Sequence, residues 1–381
     1  MEYYIHAEKF FLGSNVEIGG YLQVVDGKFG RYQKNQPDGD IVEYSDKWIA
    51  PGLVDTHIHG LLNHDVMDAS AEGIEAMANG LLKCGVTSRL PTTLTASSEQ
   101  LKEVVQVISK NLDHFEGAKV QGIHFEGPYY TEKHKEAQNP KYFENPSIEE
   151  FHEWQAAANG MIRKISIAPE RDGAVEFTAQ ISSEGVTVAL GHSDATFEQA
   201  KACVEAGATM FTHTFNGMSG LDHREPGMAG VALSLQGVTD ELICDGHHVN
   251  PYVVKILLDA KTPSKVALVT DCMKAGLMPD GDYILGEFPV IVQNGTARLK
   301  DSSHSLAGSI LLLKDAIKNV VDWNVVTPEQ AIQMATANAT DSAGIGGKCG
   351  HILPGRDADF IVLDREMKLD KTYLNGEKVV G

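Results

Sequence analysis

Between residues 48 and 271 the chain alternates short, strongly apolar runs with segments of helical periodicity, and few folds accept that alternation. A short apolar run with no polar face reads as a strand buried on both sides, and such strands belong to parallel sheets covered by helices. The candidates are 53–57, 86–90, 120–126, 162–168, 186–192, 210–214, 241–244 and 266–271, eight in all. Helices fit between them at 97–111, 148–158, 196–206 and 251–260, with Ser97 or Ser98, Thr196 and Asn250 as N-caps and Pro251 in a first turn. Further helices are expected at 309–323 and 328–337. The pattern predicts an α/β chain built as a (β/α)8 TIM barrel, which takes about 250 residues by itself. The 381 residues present leave room for a second, small domain.

Both ends supply it. The stretch before Trp48 reads as strands and turns, with Asp26-Gly27 as a hairpin signal, and 359–364 and 372–380 repeat that style around Asn375-Gly376. The two ends are expected to pair as a small β-sandwich domain, 1–50 with 352–381, leaving 51–351 as the barrel.

A formal charge of -20 excludes the basic footprint that nucleic acid or an anionic membrane surface requires. The same charge means that an anionic substrate needs a local cationic site. Cys84, Cys203, Cys244, Cys272 and Cys349 have no Cys-x-x-Cys spacing, so neither a disulfide framework nor a zinc ribbon is expected. With no leader-like start and no long apolar run, the expected setting is the cytoplasm.

The chemistry is concentrated at strand ends. His57 and His59, in Asp55-Thr56-His57-Ile58-His59-Gly60, share a face of the first strand because side chains alternate with period two, so both imidazoles can reach one metal ion. In a parallel barrel the carboxyl ends of the strands face the active site. Glu126 closes the third candidate strand, His192 the fifth, His213 falls at the end of the sixth and Asp271 closes the eighth. A carboxylate and imidazoles make a mixed N/O site for a divalent metal, and Glu126 can bind one ion or bridge two. Asp271 is placed to take a proton from activated water and pass it to a leaving nitrogen. The ordinary readings are a turn or cap residue for Asp271, core histidines for His192 and His213, and polar strand-end residues for His57 and His59. Cys272 reads as an inert neighbour, and His124 and His247 as structural.

These motifs resemble the amidohydrolase superfamily, and the finer ones are similar to the N-acetylglucosamine-6-phosphate deacetylase family. The resemblance runs from Pro51-Gly52-Leu53-Val54-Asp55-Thr56-His57-Ile58-His59-Gly60 through His124-Phe125-Glu126-Gly127-Pro128, Gly191-His192-Ser193-Asp194-Ala195 and Thr212-His213-Thr214-Phe215-Asn216-Gly217-Met218. It continues in Arg224-Glu225-Pro226-Gly227, Asp245-Gly246-His247-His248-Val249, Thr270-Asp271 and Leu306-Ala307-Gly308-Ser309. It implies that Glu126, His192 and His213 hold the principal ion, with Asp271 as acid/base. His57 and His59 then provide for a second ion bridged by Glu126, or contact substrate or water. The cofactor implied is zinc, iron, manganese or cobalt, one or two ions per subunit. Asn216, Gly217, Arg224 and His248 are implied to hold a sugar phosphate, and Ala137, Leu306, Ala307 and Gly308 to line the sugar and acetyl end. In this family the arginine can come from a neighbouring subunit, which implies a homodimer. The ordinary alternatives are a surface salt bridge for Arg224 and a structural role for His248.

The expected reaction is hydrolysis of N-acetyl-D-glucosamine 6-phosphate to D-glucosamine 6-phosphate and acetate, with the small amino-sugar phosphate as the partner molecule. The galacto epimer is the nearest alternative. A cyclic-amide hydrolase, a dipeptidase and a noncatalytic sugar-phosphate sensor are more distant ones.

Overall fold

The computed structural model describes every residue except 14, 302 and 381. Its centre is a parallel sheet in which strands follow one another in chain order: Leu53–Ile58, Val86–Thr93, Ile123–Glu126, Ile162–Ile167, Thr187–Leu190, Met210–Phe211, Thr239–Ile243 and Val266–Val269. The short piece Lys119–Val120 also pairs with Val86–Thr93, so Gln121-Gly122 interrupts the third strand. Residues 53–58 and 86–93 are buried throughout, as strands covered on both faces must be.

Closure of the barrel is confined to the rim. Ile58 bridges Cys272, the Asp271 N–H donates to His57 O at 2.9 Å, and the His59 N–H donates to Cys272 O at 2.9 Å. Lower down, the Val54 N–H donates instead to Ala335 O, at the end of the helix Pro328–Met334. The backbone hydrogen bonds that join the two edges are therefore those carrying His57, His59 and Asp271.

The helices begin where side chains can cap them. Ser97 accepts from the Gln100 N–H, Thr196 forms a reciprocal capping box with Gln199, and Asn250 accepts from the Tyr252 N–H ahead of Pro251. Helix Ser98–Lys110 buries Leu101, Val104, Val105 and Ile108, a spacing that lays one apolar stripe on the sheet.

Strands from both ends of the chain form one separate sheet, in the order Glu377–Val380, Leu369–Leu374, Phe360–Leu363, Ile41–Pro51, Glu2–Leu12, Tyr21–Val25 and Lys28–Gln33, with Asn15–Ile18 beside Glu2–Leu12. The expected sandwich is thus one hydrogen-bonded sheet. Its alternation serves two cores: Ile49, Phe360 and Val362 join Ile5, Phe10, Leu22 and Val24 in a cluster of their own, while Trp48, Ala50, Ile361 and Leu363 pack into the barrel core.

The segments beyond Asp271 hold one element that was not expected and one that starts late. The stretch after Asp271 holds a three-stranded antiparallel sheet, Gly281–Leu285, Phe288–Gln293 and Thr296–Leu299. The helix expected from 309 starts at Leu313, because Ser309 is engaged with the rim: its N–H donates to Asp271 O at 2.8 Å, and its hydroxyl to Thr270 O at 2.6 Å.

Candidate metal centre

The chain leaves its strands in an unusual way at this rim. His192, His213 and Asp271 each lie two residues beyond a strand and adopt φ of 46°, 27° and 51°. Side chains other than glycine seldom occupy that region, and such strain persists where surrounding contacts over-determine it. The turn it makes brings His57, His59, Glu126, His192, His213 and Asp271 into one buried cluster.

Glu126 is the hub. Its Oε1 lies 3.3 Å from His57 Nε2, 3.4 Å from His192 Nε2 and 3.1 Å from His213 Nε2, and its Oε2 lies 3.3 Å from His59 Nε2. Asp271 Oδ1 is 3.1 Å from His59 Nε2 and 3.4 Å from His57 Nε2. Two ligands at about 2.1 Å from one ion, meeting at right or tetrahedral angles, stand about 3.0–3.4 Å apart. The observed spacings fall in that range.

The other ring nitrogens state which form each histidine takes. Nδ1 of His59, His192 and His213 faces a backbone carbonyl, that of Thr92 at 3.2 Å, His134 at 2.8 Å and Asn216 at 3.1 Å, while His57 Nδ1 faces the Glu241 carboxylate at 3.1 Å. Carbonyl and carboxylate oxygens accept only, so each Nδ1 donates, and in the neutral ring Nε2 carries a bare lone pair. The Nε2 atoms of His192 and His213 then face each other at 3.1 Å, and His57 Nε2 is buried without a hydrogen-bond partner. A cation between them would satisfy the lone pairs and the carboxylates together. The residues present fit a divalent metal.

The electrostatics agree. Burial works against charging His57, yet Glu126 and Glu241 outweigh it and push the ring up to about 9. Burial likewise opposes ionisation of Glu126, but His57, His192 and His213 hold it well below the usual carboxylate range. Burial would raise Asp271, and His59 and His57 bring it below its ordinary value.

Several residues that organise this centre escaped the sequence reading. Gln138 Nε2 donates to Glu126 Oε2 at 2.5 Å while its Oε1 accepts the Thr95 N–H at 3.0 Å. Glu241, in the middle of the seventh strand, also accepts the His213 N–H at 3.3 Å and an ion pair from the buried Lys164. Asp55 accepts the Thr270 hydroxyl at 2.6 Å, fixing the residue before Asp271. For Glu241, Lys164 and Asp55 the available signal was a charged residue inside an apolar strand; Gln138 sits in a turn and offered none.

The residues expected at the substrate are gathered unevenly. The cleft over the cluster is lined by His59, Glu126, His192, His213, Asp271, Ala137, Leu306 and Gly308, together with Leu94, Glu136, Gln138 and Leu285. Gly217 touches its edge, its N–H donating to Glu136 Oε1 at 2.9 Å; a Cβ there would stand 2.8 Å from His192 Nδ1. Asn216 Nδ2 turns back to His213 O at 3.2 Å. His248 is held by Asp245, Nδ1 to Oδ2 at 2.7 Å. Ala307 is fully buried in the apolar cluster under the antiparallel sheet. Arg224 is exposed on the loop before the helix Gly227–Ser234, and its backbone N–H donates to Asp222 Oδ1.

Residues 48–379 match the Amidohydrolase family. The chain is 36% identical to the N-acetylglucosamine-6-phosphate deacetylase of Vibrio furnissii over 96% of its own length and 90% of that protein, and 35% identical to the N-acetylgalactosamine-6-phosphate deacetylase of Escherichia coli O157:H7 over 88% and 89%. Among solved structures, the N-acetylglucosamine-6-phosphate deacetylase of Pasteurella multocida superposes with a TM-score of 0.93 at 26% identity, covering 100% of both chains. An N-acetyl-D-glucosamine-6-phosphate deacetylase variant from Mycobacterium smegmatis, in complex with N-acetyl-D-glucosamine-6-phosphate, gives 0.93 at 28% identity, again covering 100% of both. With the barrel, its rim cluster and these likenesses together, the chain belongs to the amidohydrolase family.

Proposed function

We propose that this protein hydrolyses the acetamide of N-acetyl-D-glucosamine 6-phosphate, releasing D-glucosamine 6-phosphate and acetate. The observation that carries the reading is the convergence of four Nε2 lone pairs on Glu126 beside Asp271, in a chain similar along its length to deacetylases of that substrate. Zinc, iron, manganese or cobalt suits the donor set: Glu126, His192 and His213 hold one ion, and His57 and His59, sharing Glu126, hold a second. Such an ion supplies Lewis acidity toward the amide carbonyl and makes water acidic enough to attack.

Asp271, ionised throughout the neutral range, takes the proton from the attacking water and returns it to the amine as the C–N bond breaks. His248 and Arg224 hold the phosphate with Asn216 and Gly217, so that binding energy far from the amide positions it. Ala137, Leu306 and Gly308 lie along the sugar and acetyl end, with Ala307 supporting them from the core. Arg224, exposed on its loop, serves the site of a second subunit. The exposed Leu221, Tyr252 and Ile256 suit such a homodimer interface.

The terminal sheet, 1–50 with 352–381, is the supporting domain and 51–351 the catalytic one. Five free, buried cysteines suit a reducing cytoplasm, and among the described residues no helix is long and apolar enough to cross a membrane. The test is to assay the purified, metal-loaded protein on both epimers and on unphosphorylated N-acetylglucosamine. Preference for the phosphorylated gluco epimer is expected; equal turnover of the unphosphorylated sugar sinks the reading.

A further inference from the structure

Glu136 stands in the cleft in a backbone conformation that a glutamate does not choose. Its φ is 47°, in the left-handed region that side chains other than glycine seldom occupy. The turn around it is closed by the Gln138 N–H donating to Lys135 O at 2.8 Å, and Gln138 is pinned in turn to Glu126 and Thr95. The turn is thus fixed by its neighbours, and glycine would meet its geometry without strain. The local fold gives no reason for a carboxylate here.

The carboxylate's only hydrogen bond among the described residues comes from the Gly217 N–H, at 2.9 Å. Gly217 itself has φ of 58° and cannot carry a Cβ without meeting His192. Its N–H is a donor that the Glu136 carboxylate occupies at the edge of the cleft. Glu136 lines that cleft, and its charge is felt at both His192 and His248. One N–H cannot serve two anions at once, and two anions at this spacing repel.

We propose that Glu136 is an internal stand-in for the substrate's phosphate: its carboxylate takes the Gly217 N–H that the phosphate would accept, and so sets how tightly this site binds phosphorylated sugars. The inference rests on the reading that Gly217 and His248 face the phosphate. It makes Glu136 a residue of specificity, weakening phosphate binding in a chain that already carries a formal charge of -20.

Glu136→Gln removes the charge and keeps an oxygen able to accept the Gly217 N–H; Glu136→Gly removes charge, acceptor and strain together. Binding of inorganic phosphate to the metal-loaded protein, followed by calorimetry, is expected to tighten about tenfold in both variants, with KM for the phosphorylated sugar falling in parallel. Unchanged or weaker phosphate binding in the glycine variant overturns the proposal. Tightening in the glycine variant alone places the effect in the oxygen that occupies the Gly217 N–H, as proposed, and not in the charge. If both variants lose affinity for phosphorylated and unphosphorylated sugar alike, Glu136 contacts the sugar and the proposal is wrong. Phosphate binding is read without turnover, so a wild-type protein inactive on the amino-sugar phosphate refutes the proposed reaction and leaves the comparison at Glu136 intact.

Discussion

Glu241 and His57 are 184 residues apart in sequence and 3.1 Å apart inside the barrel, carboxylate Oε2 against ring Nδ1. The same oxygen accepts the His213 N–H, and the other carries the Lys164 ammonium, which also donates to Thr56 O at 3.2 Å. One buried ion pair thus orients a histidine from each of the two ligand groups. Glu241→Gln is expected to weaken metal binding about 10–100-fold, measured by dialysis against graded chelator, with activity returning in excess metal. Glu241→Ala leaves Lys164 charged and unpaired in the interior and should cost about 3–5 kcal/mol in denaturant unfolding. Metal affinity unchanged in the glutamine variant would remove Glu241 from this role.

Asp271 is bound to the rim by its backbone while its carboxylate faces His57 and His59, so replacing the side chain leaves the barrel closure intact. Asp271→Asn is expected to lower kcat by about 10²–10⁴. Metal content, by elemental analysis, should stay at the wild-type level. Near-normal turnover would falsify the proton-transfer role.

How far the sequence was legible follows from where each signal lives. His57, His59, Glu126, His192, His213 and Asp271 could be read because each punctuates the end of an apolar run, and a parallel sheet brings such ends to one rim. Glu241, Lys164 and Asp55 lie within strands, where a charged residue resembles a weak strand until its partner across the barrel is known. The partners are separated by 77 residues for Lys164 and Glu241, beyond any periodicity. The antiparallel sheet after Asp271 carries one apolar run, Phe288-Pro289-Val290-Ile291-Val292, before Asn294-Gly295, but its outer strands are short and half polar, and packing on Leu94 and Ala137 supplies the burial they lack.

His248 should give the reaction an alkaline limb. Burial lowers its proton affinity, but the Asp245 hydrogen bond and charge, with Asp271 and Glu136 beyond, bring it above its ordinary 6.5. For a histidine raised on folding, the stabilisation is fully present below the unfolded value and is lost as pH rises through the folded one. The same loss removes a cation from the phosphate end, while the phosphate is already a dianion above about pH 6. KM for the phosphorylated sugar is therefore expected to rise at a pH above 6.5, with kcat less affected. His248→Gln should raise KM about tenfold at neutral pH and abolish that rise. An alkaline limb of the same shape in the variant would assign it to another group.

Metal release should be coupled to proton uptake. With a cation present, the four Nε2 atoms carry lone pairs; without one, the carboxylates at 3.1–3.4 Å attract protons in its place. The metal-free His57 is pushed up to about 9, so at pH 8 it is charged before the metal arrives, and against burial Asp271 and Glu126 raise His59 well above 6.5 as well. Since a ligand imidazole must be neutral, binding at pH 8 has to expel the His57 proton. Calorimetric titration of the stripped protein with zinc at pH 8, repeated in buffers of differing ionisation enthalpy, is expected to report the release of at least about one proton, that of His57. Release should diminish as pH rises past 9, where His57 is already neutral. If binding at pH 8 expels no proton, His57 is not a ligand of the ion added.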